Sequence, residues 1–295
     1  MKEFKINIDN NLKKSSKIIS KKDYMNIVNN FKKYGAITFS NISSNINNVG
    51  DFIDLFSNSY SNDAKRRKVR FNNKKFRDVD VGFDEVILHS ETSFSPTRPE
   101  IVWFYCNKPP KTNSGKTLIC DGIDLWNNLS AETKIFFIGE PVCYSVKVPF
   151  EKKIQGIGKK KWYLDKPGVR KCYLNYKSQS IEFDYLKFAV QKSLYDDKLC
   201  FSNHLLVPVT GKQSEEQMMK KETVGKKKIP EKIMQEIKNK ANLLKKAKIW
   251  KKYDLVMLDN IRFMHGREKI NKKEKDRDIV TIQTSKTKFK NYFYN

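Results

Sequence analysis

Residues 84–121 read DEVILHSETSFSPTRPEIVWFYCNKPPKTNSGKTLICD, and this stretch decides the fold class. Three apolar runs within it, at 84–88, 101–106 and 117–120, have the length and composition of β-strands. Pieces rich in Pro, Asn and Gly separate the last two runs and are typical of turns. Short strands joined by loops indicate a β-sandwich or a barrel.

Further strands and helices are predicted on both sides of this stretch. Further strands are predicted at 35–40, 141–149, 254–258 and 278–284. Helices are predicted at 23–34, 51–56, 181–194 and 230–247. Loops are expected at 57–75 and at 150–171, where the second is a surface loop or lid, and residues 211–228 are polar and lysine-rich. The fold class is therefore mainly β with flanking helices, an α+β arrangement.

Two residues at the end of the first strand offer metal ligands. The chain has three histidines, and His89 is followed two residues later by Glu91, so both side chains point to one face of an extended segment. A third ligand has to come from elsewhere, and His265 follows the strand predicted at 254–258. Two histidines and one carboxylate form the ligand set of oxygen-activating non-haem iron enzymes. An H-x-E pair alone also occurs by chance, so spacing leaves this site a hypothesis.

Three longer motifs resemble one known family. They are LHSETSFS at 88–95 with RPEIVWFYC at 98–106, SGKTLICD at 114–121, and LDNIRFMHGR at 258–267. Their order, spacing and flanking residues resemble those of the taurine dioxygenase and clavaminate synthase-like (TauD/TfdA) superfamily of oxygenases. The resemblance also includes YGAITF at 34–39 and covers most of the chain, except for residues 150–250.

The resemblance implies a fold and a set of site residues. The fold is a double-stranded β-helix (jelly-roll, cupin-like) core within a single oxygenase domain spanning residues 1–295, with a variable insertion or lid at about 150–250. By the same resemblance, His89, Glu91 and His265 are the iron(II) ligands. Arg277 and Thr117 fall where the family binds its cosubstrate 2-oxoglutarate. The enzyme is then expected to use iron(II), 2-oxoglutarate and O2.

Departures from the common family pattern bear on the substrate. Glu91 replaces the more usual aspartate, as in clavaminate synthase and the amino-acid β-hydroxylases, and Thr281 stands where taurine-type members place a second arginine. The expected substrate is an amino acid or an amino-acid-derived small molecule, free or tethered to a carrier protein. Arg267 and His204 are candidate substrate contacts. Arg267 alternatively braces the iron loop, and His204 alternatively is a loop histidine.

Two polar residues in the turn that precedes His265 have an expected structural role. Asp259 and Asn260 are expected to fix the turn that carries His265, and so to orient this ligand.

The net charge of +26 leaves several partners open. Clustered Lys and Arg, as in the run 65–70, favour a polyanion such as nucleic acid, or an acidic carrier domain. The accompanying bias toward Asn, Ile, Tyr and Phe is also typical of an AT-rich genome, and no aromatic residues are interleaved for base stacking. Nucleic acid is therefore not the expected partner, and an oxygenase that acts on a nucleic-acid or protein substrate is kept as an alternative function. A non-catalytic basic binding module on a jelly-roll fold remains an alternative.

The location of the protein is expected to be cytoplasmic. Lysines interrupt the first 30 residues, and no stretch of about 18 apolar residues occurs. Five cysteines without a C-x-x-C pair are expected to be reduced and mostly buried.

Overall fold

The computed structural model is built mainly of β-strands with helices packed around them, as the sequence predicts. It describes residues 2–15, 18–61, 67–79, 82–209, 217–274 and 276–289. The helices are α1 (Ile8–Ser15), α2 (Lys21–Tyr34), α3 (Ile46–Asp54), α4 (Gly122–Asn128), α5 (Ala131–Gly139), α6 (Lys153–Leu164) and α7 (Glu231–Leu244). The strands are β1 (Lys2–Phe4), β2 (Ala36–Phe39), β3 (Ser57–Tyr60), β4 (Val69–Arg70), β5 (Asn73–Asp78), β6 (Val86–His89), β7 (Ile101–Lys108), β8 (Thr117–Asp121), β9 (Val142–Pro149), β10 (Val169–Asn175), β11 (Ser180–Lys187), β12 (Val190–Lys192), β13 (Leu199–Phe201), β14 (Gln217–Thr223), β15 (Lys246–Lys248), β16 (Leu255–Asp259), β17 (Phe263–Arg267) and β18 (Asp278–Thr287).

The larger sheet is apolar on both faces. Its strand order is β1-β2-β16-β7-β18-β5-β4, with β3 on β18, and every pairing but β1–β2 is antiparallel. Successive side chains of a strand point to opposite faces. Trp103 and Tyr105 of β7 accordingly pack in a cluster with α2 and α3, whereas Val102 and Phe104 belong to a cluster on the other face. This sheet is therefore buried between helices and a second sheet.

The second sheet, with strand order β15-β8-β17-β6, packs against the inner face of the first. The alternation of β8 and β17 decides which residues face the space between the sheets. Ile119 and Phe263 join the cluster shared with the large sheet, whereas Leu118, Cys120 and Met264 join a separate cluster on the outer face. Residues of odd number on these two strands, among them Thr117 and His265, consequently point toward the large sheet.

A β-bulge sets the direction of the side chains on β6. His265 of β17 pairs with His89 and Arg267 pairs with Val86, so two residues of β6 lie opposite Gly266 alone. A Cβ built on Gly266 would lie 2.5 Å from the carbonyl oxygen of Val86 and 3.2 Å from the amide nitrogen of Leu88. Only glycine leaves space for the bulge, and the bulge turns both Val86 and His89 inward.

A third sheet, β10-β11-β9-β14, covers the outer face of the second sheet together with α4 and α7. The prediction of a helix at 181–194 is wrong, because this segment forms β11 and β12. Ile181, Phe183 and Tyr185 are buried at every second position, which is the period of a strand.

Two predicted loops also contain regular structure. Residues 150–171 include α6 and the start of β10, and Gly156 of α6 lies so close to the Phe150 ring that a Cβ would be 2.8 Å from it. Residues 57–75 contain β3, β4 and the first part of β5, which are short and polar because they lie at the edge of the large sheet. Of residues 62–66 and 210–216, which belong to the predicted loop and to the lysine-rich stretch, nothing is described.

The other predicted helices and strands are confirmed, with α3 beginning earlier than expected and α7 ending before β15. Helices α1, α4 and α5 and strands β1, β13, β14 and β17 were not predicted. No helix in the described part of the chain combines the length and the apolar composition that are needed to cross a membrane. The five cysteines are all described, and none of them forms a disulfide.

Replacing Gly266 by alanine is expected to lower the free energy of unfolding by about 1–3 kcal/mol, because the added methyl group separates β17 from β6. Gly139→Ala is the matched control, since a Cβ at this exposed position meets nothing within 4 Å. Urea unfolding followed by circular dichroism measures both variants. Equal stability of the two variants would contradict the role of the bulge.

Candidate functional site

Three buried side chains converge between the two central sheets. His89 ends β6 and lies opposite His265 of β17, with a distance of 4.6 Å between the ring centroids. Glu91 lies in the turn after β6 rather than on the strand itself, yet its Oε2 is 3.6 Å from Nε2 of His89 and 3.5 Å from Nε2 of His265. One ligand atom from each residue lies within 4.8 Å of the others. The expected grouping of these three residues is thus present.

The donor atoms fit a divalent transition metal. Nδ1 of His89 is 2.8 Å from the carbonyl oxygen of Ile87, to which it donates, and this tautomer leaves the Nε2 lone pair directed at Glu91. Burial by itself raises the pKa of Glu91, but the Arg67 guanidinium, followed by both histidines, holds the pKa of this carboxyl well below its usual range. The site therefore presents two imidazoles, which bind a metal in their neutral form, and one ionised carboxylate, and this ligand set is suited to iron(II).

Asn260 fixes the Glu91 segment. Its side-chain oxygen accepts hydrogen bonds from the Glu91 amide at 2.8 Å and the Ser90 hydroxyl at 3.2 Å. Its nitrogen donates to the carbonyl oxygens of Glu91 at 3.0 Å and Pro99 at 2.9 Å. Asp259 accepts from the amides of the turn itself, as expected. Asn260 thus does more than was predicted, because it joins the His265 turn to the segment that carries the carboxylate.

Arg98 supports the same turn and was not identified from the sequence as a site residue. Its Nη2 donates to the carbonyl oxygens of Asn260 at 2.5 Å and Ser202 at 3.1 Å. Burial lowers the pKa of Arg98 to about 10, so the guanidinium stays charged at neutral pH. The position within the motif RPEIVWFYC was the available signal, but nothing in the spacing indicated which turn the side chain would reach.

A cavity adjoins the three convergent residues and contains the two residues expected to bind 2-oxoglutarate. Its lining includes His89, Glu91 and His265 together with Arg67, Val79, Val86, Phe104, Thr117, Gly266, Arg267 and Arg277. Nε of Arg277 donates to the Gly115 carbonyl oxygen at 3.1 Å, and burial, followed by the nearby Arg267, lowers the pKa of Arg277 to about 10. The Thr117 hydroxyl accepts from the Trp250 indole at 3.0 Å, so its own hydrogen is available for an acceptor in the cavity.

The two candidate substrate contacts have different surroundings. Nη2 of Arg267 donates to the carbonyl oxygens of Gly82 at 3.0 Å and Asp84 at 2.7 Å, in the segment before β6, and the residue also lines the cavity. His204 is buried in the loop after β13, with its ring 5.2 Å from that of His89 in an edge-on contact. It is not among the cavity-lining residues. The structure therefore places His204 behind an imidazole of the site.

Arg67, like Arg98, is a residue of the site that the sequence did not identify. Its Nη2 lies 3.2 Å from Oε1 of Glu91, and both side chains are largely buried. The residue belongs to the basic run 65–70, whose first two members lie outside the described residues. No pattern in that run distinguished one cation from another, so it was interpreted only as a charge cluster.

His204 makes the stability of the protein sensitive to acid. Burial, reinforced by the neighbouring His89, lowers the pKa of His204 to about 3, whereas the unfolded residue titrates near 6.5. The unfolded chain therefore takes up this proton first as the pH falls below about 6.5, and stability is lost. Between pH 7.5 and pH 5 this single group accounts for about 2 kcal/mol.

His204→Gln is accordingly expected to reduce the difference in unfolding free energy between pH 7.5 and pH 5 by about 2 kcal/mol. Urea titrations at both pH values measure the difference for the wild type and the variant. An unchanged difference would show that His204 does not titrate as its burial requires.

The buried His–Glu–His group between two sheets, beside an arginine-lined cavity, is typical of non-haem iron(II) dioxygenases that use 2-oxoglutarate. This class agrees with the family comparison. A protein-family sequence model, described as the taurine catabolism dioxygenase TauD, TfdA family, matches residues 11–282. The chain therefore belongs to this family. It is thus a 2-oxoglutarate-dependent dioxygenase with iron(II), 2-oxoglutarate and O2 as its cofactor and cosubstrates, and the resemblance inferred from the motifs is confirmed. No curated protein matches the sequence.

Solved structures share the fold at low sequence identity. A taurine dioxygenase from Burkholderia xenovorans is 10% identical with a TM-score of 0.60, covering 91% of this chain and 82% of that one. AAD-2 in complex with Mn(II) and N-oxalylglycine is 17% identical with a TM-score of 0.57, covering 91% and 90%. Asparagine oxygenase in complex with Fe(II), 2S,3S-3-hydroxyasparagine and succinate is 11% identical with a TM-score of 0.56, covering 90% and 79%.

Proposed function

We propose that His89, Glu91 and His265 hold the iron(II) of this dioxygenase and that Arg277 and Thr117 bind its 2-oxoglutarate. The observation that carries the proposal is the position of Glu91 Oε2, 3.6 and 3.5 Å from the Nε2 atoms of two opposed histidines. The remaining two residues line the same cavity, where each has donor hydrogens to offer.

The side chains of the cavity have separable tasks. When bound, iron(II) and 2-oxoglutarate activate dioxygen for the oxidation of a C–H bond, and the cosubstrate leaves as succinate and CO2. Arg277 neutralises the distal carboxylate of the cosubstrate through a planar donor fork, which lysine lacks. Thr117 donates a further hydrogen bond to that carboxylate. Phe104, whose ring is 5.2 Å from that of His265, gives the cavity an apolar wall.

The assignment predicts the behaviour of the iron chelate. Anaerobic addition of iron(II) and 2-oxoglutarate to metal-free protein is expected to give the weak visible charge-transfer band of the chelate. His265→Ala is expected to abolish the band. Arg277→Ala is expected to raise the 2-oxoglutarate concentration needed for it about a hundredfold, since the lost charge-assisted pair contributes roughly 3 kcal/mol.

Arg170→Ala is the matched control, because Arg170 is an exposed arginine on β10. This variant is expected to give the wild-type band. A folded wild-type protein without any band would contradict the ligand assignment and would favour the non-catalytic basic binding module instead.

We further propose that the enzyme hydroxylates an amino acid or an amino-acid-derived small molecule. Glu91 in place of aspartate resembles clavaminate synthase and the amino-acid β-hydroxylases, and the asparagine oxygenase with the same fold was captured with a hydroxylated amino acid. Thr281, buried on β18 opposite Phe104, brings no positive charge for a sulfonate.

Succinate release in the presence of individual amino acids tests this substrate class. One or more amino acids are expected to raise succinate formation well above the rate seen with 2-oxoglutarate alone, with a hydroxylated product detectable by mass spectrometry. Stimulation by taurine but by no amino acid would contradict the proposal.

The charge of +26 supports an acidic carrier protein as an alternative form of substrate delivery. Turnover of a carrier-bound amino acid should then fall as salt is added, while turnover of the free amino acid should not. Equal salt dependence of the two would count against a carrier.

We also propose that the chain is one oxygenase domain in which the first two sheets form the double-stranded β-helix. Residues 150–250 are the variable insertion. In support, one hydrophobic cluster joins Leu118 and Met264 of the second sheet to Phe183 of β11 and Ile237 of α7, so the insertion shares a core with the sheet that carries His265.

A further inference from the structure

The two oxygens of Glu91 have different neighbours. Oε2 faces Nε2 of both histidines, at 3.6 Å from His89 and 3.5 Å from His265. Oε1 lies 3.2 Å from Nη2 of Arg67. The carboxylate is therefore divided between a metal-facing oxygen and an oxygen that is engaged by a guanidinium.

We propose that Arg67 is a positioning residue that restricts Glu91 to coordinating the metal through one oxygen. This inference rests on the proposed function, in which Glu91 is an iron ligand. An oxygen that accepts a charge-assisted hydrogen bond from Arg67 cannot turn toward the metal without losing that bond.

The restriction matters because the coordination positions are limited. His89, Glu91 and His265, with one donor atom each, would leave three positions of an octahedral iron(II), two for the 2-oxoglutarate chelate and one for O2. If Glu91 bound through both oxygens, it would fill a fourth position. The chelate and O2 would then compete for two places.

Glutamate needs such a restraint more than aspartate does. Its side chain has one more methylene group and one more rotatable bond, so the carboxylate can reach farther and adopt more orientations. Asn260 fixes the backbone of Glu91, but its four hydrogen bonds reach only backbone atoms and Ser90. Among the arginines and lysines that the structure describes, Arg67 alone forms an ion pair with the Glu91 carboxylate.

Arg67 is itself anchored independently of β6. Nη1 of Arg77 donates to the Arg67 carbonyl oxygen at 3.3 Å, and the Asp78 amide donates to the Lys68 carbonyl oxygen at 3.0 Å. Both donors belong to β5 of the large sheet. The guanidinium thus reaches Glu91 from across the space between the sheets, with a side chain that is only 14% exposed.

Crystal structures with bound Mn(II) test the proposal directly. In the wild type, one oxygen of Glu91 is expected within bonding distance of the metal and the other on Arg67. In Arg67→Ala, both oxygens are expected to bind the metal. Arg67→Lys keeps the charge without the planar fork and provides a second variant if the alanine protein does not fold.

Binding of 2-oxoglutarate at saturating Mn(II), measured by calorimetry, gives a readout without turnover. Arg67→Ala is expected to weaken this binding about 10–100-fold, which is the usual effect of losing a residue that orients a metal ligand. Arg67→Lys is expected to weaken it less. Lys68→Ala, which removes an exposed cation from the same loop, should bind as the wild type does.

Different results overturn different statements. If Glu91 in the folded Arg67→Ala protein still binds Mn(II) through one oxygen, Arg67 does not position it, and any weaker cosubstrate binding then reflects lost charge alone. If wild-type protein does not bind Mn(II) at His89, Glu91 and His265, the proposed function fails, and this inference fails with it.

Discussion

The site depends on one strand pairing, in which His265 of β17 lies directly opposite His89 of β6. Two residues that are 176 positions apart in sequence thereby point into the same space between the sheets. The β-bulge opposite Gly266 makes this possible, because it turns His89 inward while Val86 also faces the cavity. A regular strand would direct the side chains of Val86 and His89 to opposite faces, because the two residues are an odd number of positions apart.

Glu91, the third of the convergent residues, requires a different kind of support, because it lies in a turn rather than on a strand. Asn260 binds the backbone of this turn, and Arg98 in turn binds the backbone of Asn260. Asn260 is fully buried, and both polar atoms of its side chain are hydrogen-bonded, as the interior of a protein demands. Arg67 reaches the Glu91 carboxylate from the side of the large sheet. Segments from three regions of the chain thus meet at Glu91.

Positively charged side chains occur in two distinct environments in this protein. Most lysines are exposed, and their excess sets the surface charge, whereas Arg67, Arg267 and Arg277 line one cavity with a single carboxylate, Glu91. Three guanidiniums around one carboxylate leave an excess of positive charge before a metal binds. A dianionic cosubstrate compensates the further charge that a divalent metal brings. The cavity is therefore electrostatically suited to binding metal and 2-oxoglutarate together.

The sequence by itself determined half of the strands of the two central sheets, namely β2, β6, β7, β8, β16 and β18, and the identity of the motifs that contain His89, Glu91 and His265. Strand alternation and motif residues are local properties that a linear chain displays. It did not determine β11, which was taken for a helix, or the partners of Arg67 and Arg98. Those depend on which distant segments pack together, and a basic run has the same appearance whether its members face solvent or a carboxylate. Only the tertiary structure decided that one arginine of that run lies buried against Glu91, because burial and pairing arise from contacts between segments rather than from the order of residues within one.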